Sequence, residues 1–213
     1  MPSRAWKRAR FNQPWYPGET LSVAIGQGAV AVTPVSLAVM ISTVASGGNR
    51  PIPRVLQAVR AGNGWEAADH PQPRRVGLSP QTVAAVRDGL WKAVNRAGTA
   101  RRARVEGRDV VGKTGTAQVI SLEGLAAVKA AGDSGQRFRD HGWFVFAAPR
   151  DDPRIAGAVF AEHSEHGYLA APVARRMVEV FLAQQTDPDP LASQPAAAPE
   201  ASATVVRERR DGA

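Results

Sequence analysis

Two runs rich in Val, Phe and Ala, His141 to Ala148 (HGWFVFAA) and Arg154 to Glu162 (RIAGAVFAE), are separated only by Pro149, Arg150, Asp151, Asp152 and Pro153. A link this short can join only antiparallel neighbours, because a parallel crossover needs about a dozen residues or more. The pair is therefore expected to form a hairpin. A third run of the same character, Asp109 to Ile120 (DVVGKTGTAQVI), precedes it across a polar, Gly-containing stretch read as a loop from about Ser121 to Asp140.

The remaining periodicity is helical. Thr33 with Pro34 places a capping hydroxyl before a proline at the first helical position, and Val35 to Ala45 then runs apolar until Gly47 and Gly48. Ser79 with Pro80 repeats the device, and Val83, Val86, Leu90 and Val94 follow at spacings of three and four. A third helix is expected from Ala171 to Gln184, with Val173, Met177, Val180 and Phe181 as its apolar stripe and Arg175, Arg176 and Glu179 facing out. Helices covering an antiparallel sheet make the fold class α+β. The uncharged stretch from Thr20 to Asn49 is long enough to span a bilayer, but Gly26, Gln27, Gly28, Thr33 and Pro34 near its middle favour a buried strand or turn leading into a buried helix.

Composition narrows the function classes. The absence of cysteine excludes disulfide scaffolds, zinc ribbons and thiol catalysis. After Gln185 the chain turns rich in Pro, Ala and polar residues, so residues 186–213 are expected to be a disordered tail and residues 1–185 the folded part. The tail nets −2, which leaves about +10 of the formal +8 on the folded part. The basic residues are mainly arginine, 23 against 4 lysines, and are scattered, which argues against a nucleic-acid partner. Phe11 to Thr20 is aromatic and Pro-containing rather than a smooth apolar run, so the basic start reads as no signal peptide.

Gly112, Lys113, Thr114, Gly115 and Thr116 break the first strand with residues that weaken strands. Glycine there lets a ligand or another backbone approach. A lysine, two hydroxyls and exposed main-chain donors on a sheet edge suit an extended peptide with a carboxylate, which pairs as an added strand. The plainer reading is that Lys113 is a solvated charge guarding a bare edge. Glu162, His163, Glu165 and His166 (EHSEH) could ligate a metal but read better as a polar strand-to-helix connection. His141 reads as a structural polar residue rather than a base, and Trp143 as either core or a substrate platform.

Several blocks follow one another along the chain: Pro2 to Lys7 (PSRAWK), Gln13 to Thr20 (QPWYPGET), Ile25 to Gly28 (IGQG), Thr33-Pro34, Gly98-Thr99-Ala100, Val111 to Val119 (VGKTGTAQV), His141 to Phe144 (HGWF), Ala147 to Pro149, and Ala170 to Arg175. This series, over about residues 2 to 185, resembles the C-terminal half of the penicillin-binding transpeptidase domain, a serine β-lactamase-like fold. WYPGET together with IGQG resembles the elongation-type class B branch, the penicillin-binding protein 2 type, more than the septal type. The resemblance implies that Lys113 stands beside a serine of a second motif and favours proton transfer there. It implies that Thr114 and Thr116, with Gly115 between them, hold the carboxylate of a D-Ala-D-Ala stem peptide or of a β-lactam. The Thr116 N–H would then form half of an oxyanion hole.

The family signature has three parts, S-x-x-K, S-x-N and K-T-G, and only the third occurs in these 213 residues. No serine here has a lysine three places on or an asparagine two places on. The nucleophile is thus missing from the sequence, Met1 reads as the start of a truncated or internally initiated product, and the chain is expected to be inactive alone. The alternative is a non-catalytic remnant that binds wall peptides or the elongation complex. No cofactor and no metal are implied. The implied partners are the peptidoglycan stem peptide, β-lactams and a membrane glycosyltransferase of the elongation complex, at the periplasmic face of the inner membrane.

Overall fold

The computed structural model describes residues 2–62 and 64–185. The expected tail, residues 186–213, lies outside the described residues. In chain order the elements are α1 (Arg4–Phe11), α2 (Pro17–Ala24), α3 (Pro34–Ala45), β1 (Asn49–Arg50), β2 (Ala58–Ala61), β3 (Gly64–Ala67), β4 (Arg74–Arg75), α4 (Pro80–Asn95), β5 (Val111–Ala117), α5 (Leu122–Ala130), β6 (His141–Ala148), β7 (Ile155–Ala161) and α6 (Ala171–Gln184). Short 3-10 turns lie at Arg101–Ala103, Gln136–Phe138 and Gly167–Leu169.

The three long strand runs form one antiparallel sheet in the order β5-β6-β7, so β5 is an edge strand. Its register pairs Val111 with Ala147, Thr114 with Phe144 and Ala117 with His141. On the other side β6 pairs Phe144 with Val159 and Ala148 with Ile155. Partners directly opposite share a face, and side chains alternate along a strand. One face therefore carries Phe144, Phe146 and Val159, which pack with Ala170, Ala171, Ala174 and Val178 at α6 and with Val94 of α4. The other carries Val111, Ala147 and the partly buried Val145 and Ala156, packed against Ile41 and Ala45 of α3. A sheet between helices, with β5 at its rim, is the expected α+β arrangement.

The helix starts follow their caps. Thr33 accepts from the Ser36 N–H at 3.2 Å and Ser79 from the Thr82 N–H at 3.1 Å, each with proline following at the first helical position. Burial of the faces departs from the periodic reading. In α6 the buried residues are Ala171, Ala174 and Val178, whereas Val173, Met177 and Val180 are exposed. Phe144 and Phe146 already fill the space beneath this helix, so the side turned to the sheet carries small residues that let the two approach. Val86 of α4 is also exposed, while Val83 and Val94 are buried.

Two loop readings need correction. The stretch between β5 and β6 contains α5, started by the Ser121 hydroxyl accepting from the Gly124 N–H at 3.0 Å. Its composition looked loop-like because no residue pattern there builds a buried stripe. The start of the uncharged stretch is likewise helical: α2 runs to Ala24 and none of its residues is buried. Among the described residues no helix is long and apolar enough to cross a membrane.

Candidate active site

Lys113, Thr114, Gly115 and Thr116 all lie in β5, at the rim of the sheet. Residues whose N–H and C=O face the neighbour alternate with residues whose groups face away. Three side chains identify which residues in and just before β5 face away from β6. Asn95 Nδ2 donates to the Val110 carbonyl at 2.8 Å, Lys113 Nζ to the Thr114 carbonyl at 2.7 Å, and Gln27 Nε2 to the Thr116 carbonyl at 2.8 Å. The main chain of Thr114 and Thr116 therefore opens outward, carrying their N–H groups to the same side. Gln118, two residues further on, follows the parity: its N–H donates to Gln27 Oε1 at 3.2 Å.

The pleat separates the expected side chains. Thr114 and Thr116 pair with Phe144 and Gly142 and so lie on the α6 face, while Lys113 and Gly115 pair with Val145 and Trp143 on the α3 face. Lys113, Gly115 and Thr116 are exposed and Thr114 is half-buried. The Thr114 hydroxyl is 2.7 Å from that of Thr99, tying the Gly98-Thr99-Ala100 block to β5. Thus the four residues share one edge and one outward main chain, but the ammonium and the two hydroxyls reach that edge from opposite sides.

A loop beneath the strand sets its position. Residues 162–168 cross the α6 face where Gly142 has no side chain; a Cβ there would overlap the Ser164 hydroxyl and lie 2.7 Å from the His166 carbonyl. The Ser164 hydroxyl donates to the Ala161 carbonyl at 3.0 Å. His141 accepts at Nδ1 from the His163 N–H at 3.0 Å, a structural contact in keeping with its reading as a polar support. Trp143 is half-buried, its ring 4.5 Å from that of Phe160. Among the described residues no group of three or more His, Cys, Asp or Glu is placed to hold a metal.

The blocks at the N-terminus meet one another rather than the core. Lys7 is buried and its ammonium is 2.6 Å from Glu19, which also accepts the Tyr16 N–H at 2.7 Å. These two hydrogen bonds, first that from Lys7, hold the Glu19 carboxyl below the usual carboxylate range. Lys7 also lies 4.4 Å from the centre of the Tyr16 ring, and Trp15 donates to Thr20 at 2.9 Å. Gln27 and Thr99 are the two site residues to which the motif reading assigned no role. Both stood in quoted blocks, but nothing in a linear block says that it will touch β5.

The sequence profile of the Penicillin binding protein transpeptidase domain matches residues 7–179. The chain belongs to this transpeptidase family. The peptidoglycan D,D-transpeptidase MrdA of Haemophilus influenzae is 34% identical over 190 residues, 87% of this chain and 29% of that protein. PBP2 of Pseudomonas aeruginosa, solved in complex with WCK 5153, is 34% identical with a TM-score of 0.64, over 85% of this chain and 38% of that one. Helicobacter pylori PBP2, solved in complex with MreC, is 26% identical with a TM-score of 0.65, over 86% of this chain and 31% of that one. The family resemblance and the PBP2 type are thereby established, as is the mixed helix and antiparallel sheet of a penicillin-binding transpeptidase. The chain spans less than a third of the length of the curated relative it matches.

Proposed function

We propose that this chain forms the Lys113–Thr116 wall of a D,D-transpeptidase cleft, binding peptides that end in D-Ala-D-Ala, and β-lactams that present a similar carboxylate. The observation that carries this reading is the outward main chain of Thr114 and Thr116 on the open edge of β5, in a chain of this family. An added peptide strand pairs with such an edge through its own backbone. Lys113 supplies positive charge beside it, Thr114 and Thr116 supply hydroxyls, and the Thr116 N–H stabilises charge that develops in a tetrahedral intermediate.

Acyl transfer needs a nucleophile. The reading places the S-x-x-K and S-x-N serines in protein outside these 213 residues. It also puts the assembly on the periplasmic face of the inner membrane, with a glycosyltransferase and an MreC-like protein as partners, in line with the partner named for the Helicobacter pylori relative.

Two measurements test it. Calorimetric titration with a peptide ending in D-Ala-D-Ala is expected to show binding that Lys113→Ala weakens by about ten- to a hundredfold, the loss of a charge-assisted hydrogen bond. Equal affinity in the variant overturns the assignment of Lys113. A fluorescent penicillin is expected to leave no covalent adduct on the 213-residue chain; a stoichiometric serine adduct means that the nucleophile lies within it. A chain that binds the peptide without ever being part of a penicillin-labelled assembly would instead be the non-catalytic binding remnant.

A further inference from the structure

The side-chain hydrogen bonds that join the α1–α2 arm to the rest of the molecule, among the described residues, are the two made by Gln27. The arm is otherwise braced within itself, by Lys7, Tyr16 and Glu19 and by Trp15 with Thr20. Gln27 follows α2 at Gly26 and precedes Gly28, both at positive φ, so its backbone sits in a tight turn that presents the carboxamide to β5. There the amide NH2 bonds the Thr116 carbonyl and the amide oxygen accepts the Gln118 N–H, 2.8 and 3.2 Å away. In an added antiparallel strand the residue opposite Thr116 would use its carbonyl, together with its N–H, and the residue two places upstream would use the Gln118 N–H.

We propose that Gln27 is a latch that sets how far along β5 an extended peptide can pair. With the latch seated, the N–H groups of Thr114 and Thr116 are open, the Thr114 carbonyl holds the ammonium of Lys113, and the edge from the Thr116 carbonyl onward is taken. A short peptide with its carboxyl end beside Thr114 and Thr116 competes for one of the two latch bonds, that to the Thr116 carbonyl, and leaves the other in place. A longer one pairs past Thr116 only by displacing the carboxamide, which couples recognition of the peptide's upstream residues to release of the arm. Gln27 is a specificity-determining and positioning residue, and this rests on the peptide-edge reading above.

The test uses the 213-residue chain, its Gln27→Ala and Gln27→Glu variants, and two capped peptides ending in D-Ala-D-Ala, one of two residues and one of five. Hydrogen exchange read by NMR is expected to quicken at the Gln118 amide in Gln27→Ala, with the amides of Lys113 and Gly115, bonded inward to β6, unchanged. Gln27→Ala is expected to bind the five-residue peptide about tenfold more tightly than the native chain, the competition of roughly two modest hydrogen bonds being gone, and the two-residue peptide only about threefold more tightly, for the one bond it contests. Gln27→Glu keeps the acceptor for Gln118 but sets a carboxylate against the Thr116 carbonyl, so it is expected to show native exchange at Gln118 and an intermediate gain for the longer peptide. Unchanged exchange at Gln118, or the same affinity for the longer peptide in all three proteins, overturns the latch. If neither peptide binds any of the three while Gln118 still responds, the peptide-edge reading itself fails and the latch falls with it; binding without dependence on length or variant removes the latch alone.

Discussion

Gly167 shows how much of the edge strand's placement rests on single atoms. A Cβ on it would overlap the Gly115 carbonyl and lie 2.7 Å from the Trp143 carbonyl and 2.8 Å from the Gly115 nitrogen. Those are backbone atoms of β5 and of its partner β6, so they can yield only by moving the strands. Gly167→Ala is expected to lower stability by about 1–3 kcal/mol in urea unfolding and to shift the Gly115 amide resonance. Gly89 is the contrast: it sits inside α4 with nothing within 4 Å of an added Cβ. Gly89→Ala is expected to raise stability by about 0.5–1 kcal/mol in the same assay, from helix propensity alone. At this scale the sequence placed Lys113, Thr114, Gly115 and Thr116 on one strand, which is β5. It could not find that Thr114 faces Thr99, because that contact depends on which face of the pleat the helices cover.

Among the elements, α6 separates pattern from packing. Its large apolar residues at spacings of three and four looked like the buried stripe, yet Val173, Met177 and Val180 are exposed and the contact face is Ala171, Ala174 and Val178. Periodicity reports that a helix has two sides; the shape of its partner decides which side fits. Against fully buried Phe144 and Phe146 only small side chains allow close approach. Ala174→Leu is therefore expected to cost about 1–3 kcal/mol by overpacking, measured by thermal melting, whereas Met177→Ala should change stability by less than about 1 kcal/mol. Among the helices with side-chain caps, α3 and α4 were legible at their starts, where a hydroxyl acts on an N–H three residues on and proline follows it, whereas α1, capped the same way by Ser3, was not read as a helix. The same local rule starts α5 at Ser121, where loop-like composition concealed it.

For the whole molecule, the arm and the sheet are expected to respond differently to acid. Glu19 titrates below its unfolded value because Lys7 and the Tyr16 N–H stabilise the carboxylate. Its contribution is present above the ordinary glutamate range and is lost as pH falls through the lowered value. Acid titration should thus change the fluorescence of Trp6 and Trp15 on the arm below about pH 4.5, the unperturbed value, and Glu19→Gln should abolish that transition. Asp88 and Glu179 are lowered too, by Lys92 and Arg175 first, so a change confined to the arm's tryptophans is the distinguishing signal. By itself the sequence determined the antiparallel hairpin, the three main helices, the family and the strand that carries Lys113 to Thr116, since turns, caps and motif blocks act over a few residues. Only the tertiary structure decided which face of each helix is buried, that Lys113 and the two threonines approach one edge from opposite sides, and that Gln27 reaches Thr116 across 89 residues of chain. Those outcomes depend on packing between segments distant along the chain, where complementary shape and strand parity select the partner and local propensity has no say.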